Sequence, residues 1–261
     1  MLAWLKDLRL NWREDGDPKG RPVVFAHALG LDLGLWDAVV PLLPPGLRII
    51  RYDLRGHGLS DVPPPPYAMG ALVRDAEALL DLVGVRDAVF VGLSVGGLIA
   101  QGLAVKRPDL VRAVVLANTA AKIGTRAIWD KRMRAVAGAG IEAVADSVMA
   151  RWFARSKQSG PLAGVWRARL LACPADGYAG VAAAIGAADF LTPTSGLRIP
   201  ALCIAGTEDG STPPDLVREL AELIPGARIH LIRGAGHLTP VEQPQAFADV
   251  LADFLRTIAE T

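Results

Sequence analysis

Three separated side chains carry the chemistry legible in this sequence: Ser94, Asp209 and His237. Ser94 lies in Gly92-Leu93-Ser94-Val95-Gly96, between the apolar, β-branched run 88–91 and the helix-forming run 98–104. A Gly-x-Ser-x-Gly at a strand-to-helix switch is a nucleophile elbow, in which a strained turn lifts the hydroxyl to the end of a sheet. Taken alone the five-residue match could be an idle glycine-rich turn; the readable strand before it and helix after it favour a nucleophile. A serine hydroxyl is a weak nucleophile until a base takes its proton and a third group orients that base. Serine, acid and histidine follow one another in that order along chains built on such an elbow. His27 and His57 precede the serine, and His230 falls inside a strand run, so the base is His237, in the loop Gly234-Ala235-Gly236-His237. The acid is expected one strand earlier, in Gly206-Thr207-Glu208-Asp209-Gly210. Asp209 is chosen for its position and shorter side chain, with Glu208 as the fallback. Asn118, after an earlier strand, has no charge with which to stabilise an imidazolium. Two backbone N–H groups should meet the developing oxyanion: Val95, next to the nucleophile, and Leu29, after the first buried strand. His27 is read as a brace for that second loop.

Apolar runs at 22–27, 47–53, 88–91, 113–117, 201–205 and 227–232 read as strands, and 8–12 alternates as an edge strand would. Helices are expected at 36–43, 69–83, 214–223 and 243–258, with Gly84 ending the second. Strands alternating with helices indicate an α/β class, with a mostly parallel sheet covered by helices on both faces. The alternation lapses from residue 120 to about 192, where only helical stretches are found. Residues 1–118 and 193–261 therefore read as the core, and 119–192 as a helical lid inserted between strands, over the sheet edge where such folds bind ligands.

The whole chain of 261 residues has a net charge of +1, which points to neither a nucleic-acid nor a polyanion binder. Of its two cysteines, Cys203 lies in an apolar run and is expected as a buried free thiol. No targeting segment or membrane-length apolar stretch stands out, so a cytoplasmic location without a membrane partner is expected. The charge is unevenly placed. Residues 119–192 hold ten Lys or Arg against five acids, a net +5 that leaves −4 for the rest. Solvated helix faces would account for this equally well as a lid that attracts an anionic substrate, with one arginine pairing its carboxylate. Trp129, Arg132 and Trp152 are the lid residues expected at such a pocket; Trp166 is expected in lid packing.

Three motifs together resemble the α/β-hydrolase superfamily: Gly92-x-Ser94-x-Gly96, Asp53-x-Arg55-Gly56-His57-Gly58-x-Ser60 and Gly234-x-Gly236-His237. Within it, residues 92–101, 116–124 and 206–214 are similar to the 3-oxoadipate enol-lactone hydrolases of aromatic catabolism. Asn118-Thr119-Ala120-Ala121-Lys122-Ile123-Gly124 weighs most, because it enters the lid. One departure is Ala28, where glycine commonly follows the histidine; it is compatible with the Leu29 assignment only if its φ is negative. The resemblance implies a small anionic lactone as substrate, hydrolysis through an acyl-enzyme on Ser94, and no metal or organic cofactor. A general carboxylesterase, a carbon–carbon bond hydrolase or a non-turnover receptor on the same fold remain alternatives. Oligomeric state is not legible.

Overall fold

The computed structural model describes residues 1–259. Among them the chain runs β1 (Leu2–Leu5), β2 (Leu8–Gly16), β3 (Arg21–Ala26), β4 (Leu47–Tyr52), α1 (Met69–Leu82), β5 (Ala88–Leu93), α2 (Val95–Lys106) and β6 (Val111–Ala117). Five helices follow without a strand: α3 (Arg126–Ala139), α4 (Glu142–Trp152), α5 (Pro161–Leu171), α6 (Ala175–Ala187) and α7 (Leu191–Ser195). The sheet resumes with β7 (Ala201–Gly206), α8 (Pro214–Leu223) and β8 (Arg228–Ile232), then α9 (Thr239–Glu242) and α10 (Pro244–Thr257). The strand order is β1-β2-β4-β3-β5-β6-β7-β8. Pairing is antiparallel from β1 through β2 to β4, and parallel from there on.

Every residue of β5 and of β7 is buried. Side chains alternate between the faces of a strand, so burial of both sets requires cover on both sides of the sheet. This is the expected α/β-hydrolase layout, with β5 central and the elbow at its C-terminal end.

Three details differ from the sequence-based expectation. The edge strand is β1, not residues 8–12; β2 is its neighbour and runs on to Gly16. β1 is only four residues, Leu2-Ala3-Trp4-Leu5, apolar throughout and so without the alternation that marks an edge strand; Leu2 and Trp4 are nonetheless exposed and only Ala3 is fully buried. The helix expected at 36–43 is two 3₁₀ turns, Leu33–Trp36 and Val40–Leu42. Pro41 lies within that span, and a proline there removes the N–H that an α-helix would bond to Asp37. The last helix is preceded by a separate turn of helix, α9, because Pro244 must occupy the first turn of α10. Cys173 and Cys203 are both buried free thiols. No single helix among the described residues is long and apolar enough to cross a membrane.

Candidate active site

The site begins at the elbow. Ser94 has φ 58° and ψ −116°, a conformation costly to any residue with a Cβ. It survives because its neighbours close tightly around it. A Cβ on Gly92 would fall on the Gly96 carbonyl, and one on Gly96 would fall on the Ala26 carbonyl of β3. The Ser94 N–H donates to the Ala117 carbonyl at 3.0 Å, and Thr119 Oγ1 donates to the Ser94 carbonyl at 2.7 Å. The backbone is pinned on both sides, and the side chain stands at the start of α2.

The loop after β7 brings Asp209, and the loop after β8 brings His237; both side chains are buried. His237 Nδ1 lies 2.8 Å from Asp209 Oδ2. An ionised carboxylate only accepts, so Nδ1 carries the proton and Nε2 keeps a free lone pair. Asp209 is held from every side. Its Oδ1 accepts from the N–H groups of Ser211 (2.7 Å) and Thr212 (2.9 Å). Its Oδ2 also accepts from Thr212 Oγ1 (2.8 Å) and Asn118 Nδ2 (2.9 Å). Burial by itself would push this carboxyl up. The attraction of His237 and the donors from His237, Asn118 and Thr212 outweigh it, and the net shift is downward. Glu208 does not reach the histidine; its Oε2 instead accepts from the Arg155 N–H at 3.0 Å.

Thr212, Asn118 and Thr239 are the members that sequence reasoning missed. Asn118 was read only as lacking charge, yet it bridges Asp209 to Thr239, whose Oγ1 donates to Asn118 Oδ1 at 2.7 Å. Its φ of 46° is a local sign of special placement that only coordinates reveal.

Ser94 and His237 line one pocket of about 170 Å³ together with Ala28 and Leu29. The Leu29 and Val95 N–H groups, both in buried residues, donate to no acceptor among the described residues. Buried N–H groups without acceptors are rare; one belongs to a residue that lines the pocket with Ser94 and the other to the residue that follows Ser94. Ala28 stays outside the left-handed region, so a side chain there brings no backbone strain. A roomier cleft of about 430 Å³ lies beyond Gly30, lined by Asp32, Asp37, Arg169 and Cys173. Burial pushes the Cys173 thiol up to about 12, and no base is paired with it among the described residues, so that cleft lacks an activated nucleophile.

The helices between β6 and β7 supply the other walls. Trp129 and Arg132 come from α3, Arg151 and Trp152 from the end of α4, and Tyr178 from α6. Trp129 is fixed by its indole N–H donating to the Ile123 carbonyl at 2.6 Å, and Arg132 stacks on its ring at 4.8 Å. Trp166 instead packs under Arg169, away from the pocket. Arg167 and Arg169 are paired with Asp146 and Asp32, and Lys122 and Arg126 with Asp189 and Asp130. Arg132 and Arg151 have no carboxylate within ion-pair distance among the described residues. Burial, and then repulsion from Arg132, lowers the Arg151 pKa. An anion in the pocket would relieve both effects.

One stretch ties this wall to the histidine and acid loops. The Trp152 carbonyl accepts from the N–H groups of His237 (2.8 Å) and Leu238 (3.2 Å), and the Arg151 carbonyl from Gly210 (3.2 Å). Glu242 bridges the same parts, accepting from Gly236 N–H at 2.6 Å and Ala154 N–H at 3.1 Å. The arrangement has the parts for nucleophilic acyl transfer: a hydroxyl, an oriented imidazole and two free backbone donors.

A family model described as the alpha/beta hydrolase fold matches residues 21–244. The chain is 34% identical over 244 residues to 3-oxoadipate enol-lactonase 2 of Acinetobacter baylyi, covering 93% of this chain and 91% of that one. It is 29% identical to 2-hydroxymuconate semialdehyde hydrolase of a Pseudomonas species, with 95% and 90% covered. Among solved structures, the enol-lactonase from Burkholderia xenovorans superposes with a TM-score of 0.94 at 35% identity, covering 98% of this chain and all of that one. The strand order, the strained serine at the end of β5 and these relatives agree: the chain belongs to the α/β-hydrolase family, in the branch that contains the 3-oxoadipate enol-lactonases.

Proposed function

We propose that this hydrolase opens 3-oxoadipate enol-lactone to 3-oxoadipate, a step of the β-ketoadipate pathway, through an acyl-enzyme on Ser94. Ser94 attacks the ring carbonyl while His237 Nε2 takes its proton, and Asp209 stabilises the imidazolium that forms. The Leu29 and Val95 N–H groups hold the oxyanion. Ring opening expels an enolate, a better leaving group than an alkoxide, so proton donation by His237 matters less in that step. Water, activated by the same imidazole, then releases the product. No step calls for a metal or an organic cofactor.

The observation that carries the choice of substrate is the pair Arg132 and Arg151, lining the pocket of Ser94 and His237 without carboxylate partners. Two uncompensated cations favour a lactone with a free carboxylate arm over a neutral ester. A carboxylesterase acting on neutral esters would use the same three side chains but gain nothing from those charges.

The test compares the enol-lactone with a neutral aryl ester for wild type, Arg132→Met and Arg151→Met. A lost charge-assisted hydrogen bond of about 1.5–3 kcal/mol corresponds to roughly a tenfold to hundredfold rise in KM for the lactone. For the neutral ester the change should stay within about twofold on the same grounds. Equal effects on both substrates would end the carboxylate argument. Absence of lactone turnover by wild type would end the substrate assignment.

A further inference from the structure

The motif Asp53-x-Arg55-Gly56-His57-Gly58-x-Ser60 contributes no side chain to the pocket, yet it is built with unusual care. Asp53 is buried and accepts from Leu33 N–H (2.7 Å), Asn11 Nδ2 (2.8 Å) and Leu59 N–H (2.9 Å). Ser60 Oγ donates to the Asp53 carbonyl at 2.8 Å, and Arg55 pairs with Asp75 through two hydrogen bonds. All this fixes the loop that carries His57, a completely buried ring.

His57 Nε2 accepts from the Gly30 N–H at 3.0 Å, and its Nδ1 lies 3.2 Å from the Arg55 carbonyl. Gly30 has φ 81°, and the Leu31 N–H donates back to the Ala28 carbonyl at 3.3 Å. Those features define a tight turn with glycine in its third position, whose central peptide carries the Gly30 N–H. The three N–H groups of that turn have different fates. Leu31 closes the turn, Gly30 is taken by His57, and Leu29 is left for the pocket. His27 secures the other strand of the same contact, its Nε2 accepting from Leu54 N–H at 2.9 Å and its Nδ1 lying 2.8 Å from the Ala28 carbonyl.

We infer that His57 is a positioning residue for the oxyanion site: by accepting the Gly30 N–H it fixes the turn that points the Leu29 N–H at the Ser94 hydroxyl. The inference rests on the acyl-transfer reading above, since only a developing oxyanion makes that direction matter. It requires a neutral ring with the proton on Nδ1, because Nε2 must accept.

The test uses His57→Gln, whose side-chain oxygen can still accept from Gly30, and His57→Phe, which cannot. Deleting an oxyanion donor outright costs about 10²–10³ in kcat; misdirecting one in His57→Phe should cost about tenfold to a hundredfold, with KM within about twofold. Affinity for a boronic acid, which forms a tetrahedral adduct with Ser94, should fall in parallel, while inhibition by adipate should not. His57→Gln should recover most of both losses. Wild-type kcat and boronate affinity in a folded His57→Phe would overturn the inference. Should neither variant fold, long-range ¹H–¹⁵N correlation on the wild-type enzyme still decides, since a proton on Nε2 of His57 would also overturn it. Ser94→Ala, assayed beside them, separates the two claims: its retained activity would sink the acyl-enzyme reading whatever His57 does.

Discussion

Single atoms around Asp209 decide whether His237 can act as a base. Five donors converge on one carboxylate, and two of them, Thr212 Oγ1 and Asn118 Nδ2, share Oδ2 with the imidazole. Removing Thr212 Oγ1 leaves the backbone donors to Oδ1 untouched, so orientation should loosen without the loop collapsing. Thr212→Val, nearly the same shape, should lower kcat for the lactone by about tenfold, the lower end of the worth of one hydrogen bond to a charged group, with KM unchanged. Steady-state kinetics check this, and an unchanged kcat would show that Thr212 only fills space. Ser94, Asp209 and His237 were readable because each sits at a sequence signature: an elbow, a loop after a strand and a glycine-rich loop. Thr212, Asn118 and Thr239 carry no signature, since a threonine or asparagine after a strand is ordinary until its partner is known.

At the level of elements, the end of α4 does two things at once. Arg151 and Trp152 line the pocket, while their carbonyls accept hydrogen bonds from the loops of Asp209 and His237. Gly236 makes this closeness possible. A Cβ there would lie 2.6 Å from the Trp152 carbonyl oxygen and 2.7 Å from Ala154 N, both backbone atoms with little freedom to retreat. Gly236→Ala should therefore push α4 away from the histidine loop. Overpacking of this kind costs about 1–3 kcal/mol in stability. Because the displaced carbonyl holds His237 N–H, kcat should fall by at least about tenfold, as expected when a catalytic group is misplaced by a fraction of an ångström. Thermal denaturation and lactone kinetics on the same preparation check both halves; a destabilised variant with full kcat would show that this contact is packing alone. The sequence announced a strandless helical stretch and its positive charge. It did not announce that four of those cations are spent on ion pairs while Arg132 and Arg151 line the pocket without a carboxylate partner among the described residues.

Across the whole molecule, burial of His27 and His57 makes stability depend on pH. Burial first, and then the neighbouring His27, pushes His57 from an ordinary 6.5 down to about 3. His27 is lowered as well, mainly by burial. Between pH 6.5 and about 3 the unfolded chain therefore binds a proton at His57 that the folded chain does not, and His27 acts in the same direction below 6.5. The contribution of these rings to stability falls as pH falls below 6.5, by up to about 1.4 kcal/mol per pH unit for each ring. Asp209, lowered in the fold, adds to the loss only below the ordinary carboxylate range, near pH 4. Asp75 and Glu242, raised by burial, contribute in the opposite sense above the ordinary carboxylate range, so the readout is a difference: between about pH 4.5 and 7.5, acidification should lower the urea midpoint more in wild type than in His57→Gln. Identical slopes would remove His57 from the account. The sequence by itself determined the α/β order, the elbow, the histidine and acid that follow it, and the resemblance to the lactonases. All of these are set by local periodicity, by turns only glycine can make and by order along the chain. Tertiary structure alone decided which arginines line the serine's pocket, which side chains hold Asp209 and what His57 holds. Most of those contacts join segments tens of residues apart, and no local pattern encodes a distance.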